Sequence, residues 1–349
     1  MPSNPLLGVI FHAIGGFAAG SFYAPIKKVG GWAWESAWMV LGLSAWLVTP
    51  WVVALATTPQ LARVLRESPP SALLYAYLFG VLWGIGGLTF GLTMRYLGVG
   101  LGVAVALGFC MTFGTLVPPI FDGTIGEIVA TTSGRTVLGG IATCLLGIMV
   151  CGAAGIRKEG ELTTEDKAES VGEFAIGKGL AVAMVSGILS SCFAYALAAG
   201  KPIGAVALKY DVNPLLENNA SLAIILAGGL TTNAVWCIIL NFKNRSFGDY
   251  VTGPAWRQAF NYFMSALAGF IWYNQFFFYG MGESKMGDQF KFSSWSIHMA
   301  FIIVFSNLWG IYFREWKGTT QVTKLMVWCG IGILLASTVV IGLGNYLGG

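Results

Sequence analysis

Residues 135–156 read RTVLGGIATCLLGIMVCGAAGI, and residues 157–176 read RKEGELTTEDKAESVGEFAI. The first stretch is apolar or small almost throughout. It matches the roughly 20 residues that carry a helix across a bilayer. The second holds nine charged residues: Arg157, Lys158, Glu159, Glu161, Glu165, Asp166, Lys167, Glu169 and Glu173. An apolar run ended by a charged segment predicts a membrane helix entering water. Working outward, four further runs precede this one, at about 5–26, 34–58, 72–94 and 98–120. Five follow it, at about 177–199, 217–242, 256–281, 291–313 and 321–347. The other connections are short. The expected fold is an all-α polytopic membrane protein with ten transmembrane helices. The expected domains are residues 1–156, a polar linker at 157–176, and residues 177–349.

Composition agrees. The chain of 349 residues is 56% hydrophobic and 10% charged, with a mean hydropathy of +0.70, where a soluble domain carries about 25% charged residues. Strands with Val-rich alternation are absent, so helices rather than a barrel satisfy the backbone in lipid. The net charge of +4 is spread over the loops and predicts no nucleic-acid surface. The six cysteines stand singly in apolar runs and read as small buried hydrophobes, with no metal or cofactor implied. Residues 1–4 lack a basic segment, so the first run is expected to be a retained helix.

Thirteen of the twenty Lys and Arg fall in odd-numbered connections. That bias predicts a cytoplasmic linker at 157–176 and periplasmic termini. A shift of about 171 residues lays Gly8, Gly16 and Phe22 on Gly179, Gly187 and Phe193. A shift of about 189 lays Gly80, Trp83, Gly91 and Gly98 on Gly269, Trp272, Gly280 and Gly287. Runs 1 and 3 thus match runs 6 and 8. Five helices per half is an odd number, so the halves must insert oppositely. A 5+5 inverted repeat is a frequent transporter plan. Gly80, Gly84, Gly87 and Gly91, and Gly16 with Gly20, have the spacing that lets helices approach closely.

Run 8 carries the chemistry. Trp272, Tyr273, Asn274, Gln275, Phe276, Phe277, Phe278 and Tyr279 follow one another in a span. At about 100° per residue, Trp272, Gln275 and Tyr279 share a face. Flat rings beside an amide suit a small polar molecule with an apolar face, such as a sugar. None of the 16 acidic residues lies deep in a run, and Glu35 and Glu217 stand at run starts. Intramembrane titratable groups reduce almost to His12 and His298, which are expected at similar depth, near that of Gln275. His12 shares a face with Tyr23, and His298 with Trp295. Each histidine reads either as a hydrogen-bonded core residue or as a ligand for substrate or proton.

These residues also carry a resemblance. The segment Phe22-Tyr23-Ala24-Pro25-Ile26-Lys27-Lys28-Val29 with Trp32-Ala33-Trp34-Glu35 looks like the bacterial L-rhamnose–proton symporter family. So do residues 79–86 and Gly91-Leu92-Thr93-Met94-Arg95-Tyr96-Leu97-Gly98. Trp272-Tyr273, Gln275 to Tyr279, Ser294-Trp295, His298-Met299 and Arg314-Glu315-Trp316 continue it. The resemblance implies a ten-helix member of the drug/metabolite transporter superfamily. It also implies proton-driven uptake of L-rhamnose or a related 6-deoxy sugar through the inner membrane. Asn213, where members carry Asp, Glu217-Asn218-Asn219, Asn274 and the 281–291 connection depart from the pattern.

The expected substrate contacts are Trp272, Tyr273, Asn274, Gln275, Tyr279, Trp295, His298, Trp83 and Tyr23. The expected proton carriers are His298 and His12, with Glu35 and Glu217 as alternatives. The partners are a sugar, a proton and the lipid bilayer. An exporter of the same superfamily would want a deep carboxylate, which is absent. A sodium-coupled sugar symporter stays open. A membrane enzyme would want clustered His, Asp or Glu, and a channel a filter motif.

Overall fold

The computed structural model describes residues 4–161, 176–286, 293–312 and 316–348. Inside its helices the side chains at 91, 94, 95, 97–104, 121, 159 and 176 are left out of the description. Most of the 157–176 linker, part of the 281–291 connection, Arg314 and Glu315 therefore lie outside the described residues, as does the side chain of Arg95.

Among the described residues the chain is helical and has no strand. The helices are α1 (Pro5–Ser21), α2 (Tyr23–Ile26), α3 (Trp34–Leu43), α4 (Thr49–Thr57), α5 (Leu61–Glu67), α6 (Pro70–Phe121), α7 (Ile125–Ala130) and α8 (Thr132–Glu161). They continue with α9 (Ile176–Leu208), α10 (Asn219–Asn244), α11 (Ala255–Lys285), α12 (Ser294–Tyr312) and α13 (Gln321–Gly348). A π-helical turn, Ser44–Val48, joins α3 to α4. Among the described residues, eight stretches are long and apolar enough to span a membrane, so this is a multi-pass membrane protein.

Ten spans were expected. The run expected at 98–120 is described with its side chains from Val105 to Ile120, where it is apolar. Helix α11 has 31 residues, yet its own Asn, Gln, Tyr and Trp residues dilute its hydropathy.

The helical backbone of α6 runs through the connection expected near residues 95–97 and covers 52 residues. A straight helix of that length would measure about 78 Å, over twice the hydrocarbon thickness. It does not run straight. The Ser186 hydroxyl donates to the Gly86 carbonyl at 2.9 Å, and one residue on, Gly187 lies against Ala106 and Phe109. A rod would hold Gly86 and Ala106 about 30 Å apart. Neighbouring residues of α9 touch both, so α6 reverses direction between them.

The chain divides into two compact units. One comprises Met1–Phe17, Gly86–Ala194 and Gly282–Gly349, and the other Ala18–Ile85 and Tyr195–Met281. The four boundaries fall inside α1, α6, α9 and α11. In the first unit, α8 and α13 pack antiparallel through glycines. Gly344 meets Val137, Gly140 meets Ile341, Gly147 meets Leu334, and Gly330 meets Cys151. Each step along α8 is matched by an equal step back along α13. In the second unit, Gly80 and Gly84 press on the backbone of α10 at Ile225 and Gly229. Gly87 faces open space, so the glycine stripe is a packing surface for only part of its length.

Candidate functional site

The second unit holds a cluster of aromatic rings around Trp46. Trp46 is fully buried. Its ring centroid lies 5.0 Å from Trp272, 6.1 Å from Trp83 and 6.3 Å from Trp38. Phe22, at the break between α1 and α2, stacks on Trp272 at 4.5 Å and 8°. Phe276 meets Trp83 edge-on at 5.5 Å. Tyr23 is half exposed and leans on Phe22 at 4.3 Å.

Local chemistry explains how Trp46 reaches this place. Pro50 has no N–H, so the Trp46 carbonyl loses its usual i+4 donor. The helix widens ahead of it, and the Thr49 N–H bonds to the Ser44 carbonyl, five residues back. The Ser44 hydroxyl donates to the Ala266 carbonyl at 2.8 Å, and Gly269 admits the backbone of Leu41 and Ala45. Helix α11 thus crosses the π-turn one turn before Trp272.

Several buried polar atoms in this unit have no hydrogen-bond partner: Trp46 Nε1, Tyr273 Oη, Gln275 Nε2 and Ser265 Oγ. An unpartnered buried polar group costs about 1–3 kcal/mol, so an accumulation of them calls for an explanation. Gln275 lies one turn from Trp272 on the same face of α11 and is buried, as is Tyr279. Asn274 is partly exposed, and its amide donates to the Phe270 carbonyl of its own helix at 2.8 Å.

Glu35 is buried at the start of α3. Its carboxylate accepts from Asn244 Nδ2 at 2.9 Å and from the Ser246 hydroxyl at 2.6 Å. Asp249 accepts from the Ser36 hydroxyl at 2.8 Å and from the Ala33 N–H at 2.7 Å. This network ties α3 to the end of α10. Glu217 is half-buried at the entry to α10. The next residue, Asn218, packs on Gly280 of α11, one residue past Tyr279.

In the first unit the two histidines meet. Both are buried, and their ring centroids are 5.8 Å apart in an edge arrangement. The His298 ring also hydrogen-bonds the backbone of His12. Gly282 makes room for the His12 ring, since a Cβ there would sit 2.7 Å from Cε1. Trp295 is placed otherwise. Its N–H donates to the Cys110 carbonyl at 3.1 Å, and its ring stacks with Phe193 at 5.9 Å.

The nine expected substrate contacts therefore divide. Trp83, Trp272 and Tyr23 join the ring cluster. Gln275 and Tyr279 lie on the same helix as Trp272, as do the buried Tyr273 and the partly exposed Asn274, whose amide bonds within α11. Trp295 and His298 belong to the other unit. Trp46 and Trp38 were not anticipated. Their signal is three tryptophans at 34, 38 and 46 in one span, followed by Pro50.

The family model described as L-rhamnose-proton symport protein matches residues 1–346. The chain belongs to this family. It is 37% identical over 343 residues to an L-rhamnose-proton symporter of Cronobacter sakazakii, covering 97% of this chain and 98% of that one. It is 35% identical over 341 residues, with the same coverage of each chain, to L-rhamnose-proton symporters of Yersinia pestis and Yersinia pseudotuberculosis. As a member of the L-rhamnose-proton symporter family, the chain matches along nearly its whole length, so both units fall inside the family.

Proposed function

We propose that the protein takes up L-rhamnose, or a related 6-deoxy sugar, together with a proton across the bacterial inner membrane. The observation that carries this reading is the ring cluster around Trp46, bordered by the buried, unpartnered amide of Gln275. Flat faces suit the apolar C–H side of a sugar and its 6-methyl group. Gln275 and the Trp46 N–H have hydrogen bonds left to give to hydroxyls. The residues of this cluster include no carboxylate, so a cationic drug finds no counter-ion in it. The family relatives, named for L-rhamnose and a proton, support both parts of this reading.

The proton belongs on the histidine pair. Two imidazolium rings 5.8 Å apart would repel by about 3 kcal/mol at an effective dielectric of about 20. The pair therefore suits one proton rather than two. Ten spans, with α6 counted as two, form a 5+5 inverted repeat of the drug/metabolite transporter type. The boundaries between the compact units fall in α1, α6, α9 and α11, the helices that carry runs 1, 3, 6 and 8. Alternating access moves the sugar from periplasm to cytoplasm, with both termini periplasmic and the 157–176 linker cytoplasmic.

Uptake of labelled L-rhamnose into proteoliposomes under an inward proton gradient tests this. Gln275→Ala is expected to weaken uptake at every pH, and His298→Ala to remove its pH dependence. Wild-type uptake and pH dependence in both variants would sink the assignment.

A further inference from the structure

A cavity of about 350 Å³ is lined by Ile311, Trp316, Lys317, Lys324, Val327 and Trp328. It uses none of the residues assigned above to sugar or proton. It sits where α12 ends at Tyr312 and α13 begins at Gln321, and both helices are candidate spans. Its level is therefore a bilayer boundary. Ile311, Val327 and Trp328 lie inside the spans and make an apolar floor. Trp316 and Lys317 lie in the connection outside them. Lys324 and Trp328 are one turn apart on the same face of α13, the lysine toward the head-group level and the tryptophan toward the hydrocarbon.

The rim is cationic. The Lys158 ammonium, from the end of α8, lies 5.0 Å from the Trp316 ring centre. Among the described residues none of Lys158, Lys317 and Lys324 has a carboxylate partner. Among the described residues the acid at this end, Glu161, is already engaged. It accepts from the Thr320 N–H at 2.8 Å, the Thr320 hydroxyl at 2.6 Å, the Thr323 hydroxyl at 2.8 Å and Arg157 at 3.1 Å. Val322, Leu325 and Trp328 are exposed around the floor, as a lipid-facing surface requires.

We infer that this cavity binds the head group of an anionic phospholipid. Lys317 and Lys324 hold the phosphate, with Lys158 close by, and the acyl chains run inward along Val327 and Trp328. A free phosphate would satisfy the lysines but would leave the tryptophan floor without an occupant. Interfacial lysines and aromatic residues are the usual partners of such lipids.

The test uses the full-length protein in detergent. Phosphatidylglycerol, phosphatidylcholine and inorganic phosphate are titrated separately, and bound lipid is counted by native mass spectrometry. Phosphatidylglycerol is expected to bind in preference to phosphatidylcholine, and inorganic phosphate to leave its binding unaltered. K317Q/K324Q should bind phosphatidylglycerol roughly 30-fold more weakly, as loss of two interfacial lysines implies. K317R/K324R, which keeps the charge, should retain binding, and so should R63Q/R66Q, which removes two exposed charges elsewhere. Equal binding of the two lipids by the wild type would overturn the proposal without recourse to any variant. So would unchanged binding in K317Q/K324Q, equal weakening in R63Q/R66Q, or displacement of the lipid by inorganic phosphate.

Discussion

The α8–α13 pair and the Trp46 region are both buried, and they are built on opposite rules. Between α8 and α13, Gly140, Gly147, Gly330 and Gly344 each face a side chain of the other helix, and the Ser133 hydroxyl is bonded to the Gly344 carbonyl. Around Trp46 the helix carries a π-turn, and the neighbouring buried donors of Trp46 and Gln275 lack acceptors. The first region is complete as it stands. The second has hydrogen-bonding capacity left for something that comes and goes. Burial alone thus says little about function, and the state of the buried polar atoms says more.

The largest effect should come from damaging the complete region. A Cβ at Gly344 would lie 2.6 Å from Val137 Cγ2 and 2.9 Å from the Val137 backbone nitrogen. Gly344→Leu should destabilise the protein by roughly 3 kcal/mol, and folded yield on size exclusion should collapse. Gln275→Ala should do the reverse. Uptake per folded protein should fall by roughly tenfold or more, for a hydrogen bond lost to the sugar, while the melting temperature holds or rises. A fall in melting temperature with uptake intact would erase the contrast between the regions.

Trp46→Phe keeps a ring and removes one N–H. It should raise the half-saturating L-rhamnose concentration roughly fivefold to tenfold, with stability little altered. An unaltered value would make Trp46 a packing residue and nothing more.

The smallest effect concerns the end of the complete pair. The Thr320 hydroxyl, then the Thr320 N–H, the Thr323 hydroxyl and Arg157, hold the Glu161 carboxyl down from 4.5 to about 2. A carboxyl lowered on folding stabilises above its unfolded value and loses that contribution as pH falls through the folded one. Glu161→Gln should therefore melt slightly below wild type at pH 7. The difference should shrink from about pH 4.5 downward and vanish near pH 2. Melting curves at three pH values would check this, and a gap that persists at the acid end would refute it.

Much of this was legible in the sequence. Apolar length decided the membrane class, because bilayer thickness constrains every span alike. The polar stretch of α11 stood out because amides and tryptophans are costly there without a reason. The meeting of His12 with His298 follows from two similar depths, although depth alone could not bring the rings together. What stayed hidden depended on the backbone of partners far along the chain. The bond from the Trp295 N–H to the Cys110 carbonyl, for example, joins residues 185 positions apart. Glu35 read as an alternative proton carrier, and its partners Asn244 and Ser246 lie more than two hundred residues along the chain. Trp46 escaped notice because its importance comes from Pro50, whose missing N–H acts on a carbonyl four residues back. That the backbone of α6 stays helical where the chain turns back was likewise invisible.

The constant register between α8 and α13 has a mechanical consequence. A slide of one residue along the pair would drive side chains into backbone at Gly140, Gly147, Gly330 and Gly344 together. Four simultaneous collisions act as a splined joint, which locks against shear while leaving the assembled shaft free to turn as one piece. Any displacement that accompanies transport must carry these two helices together, and relative motion has to be sought in other helices of the bundle.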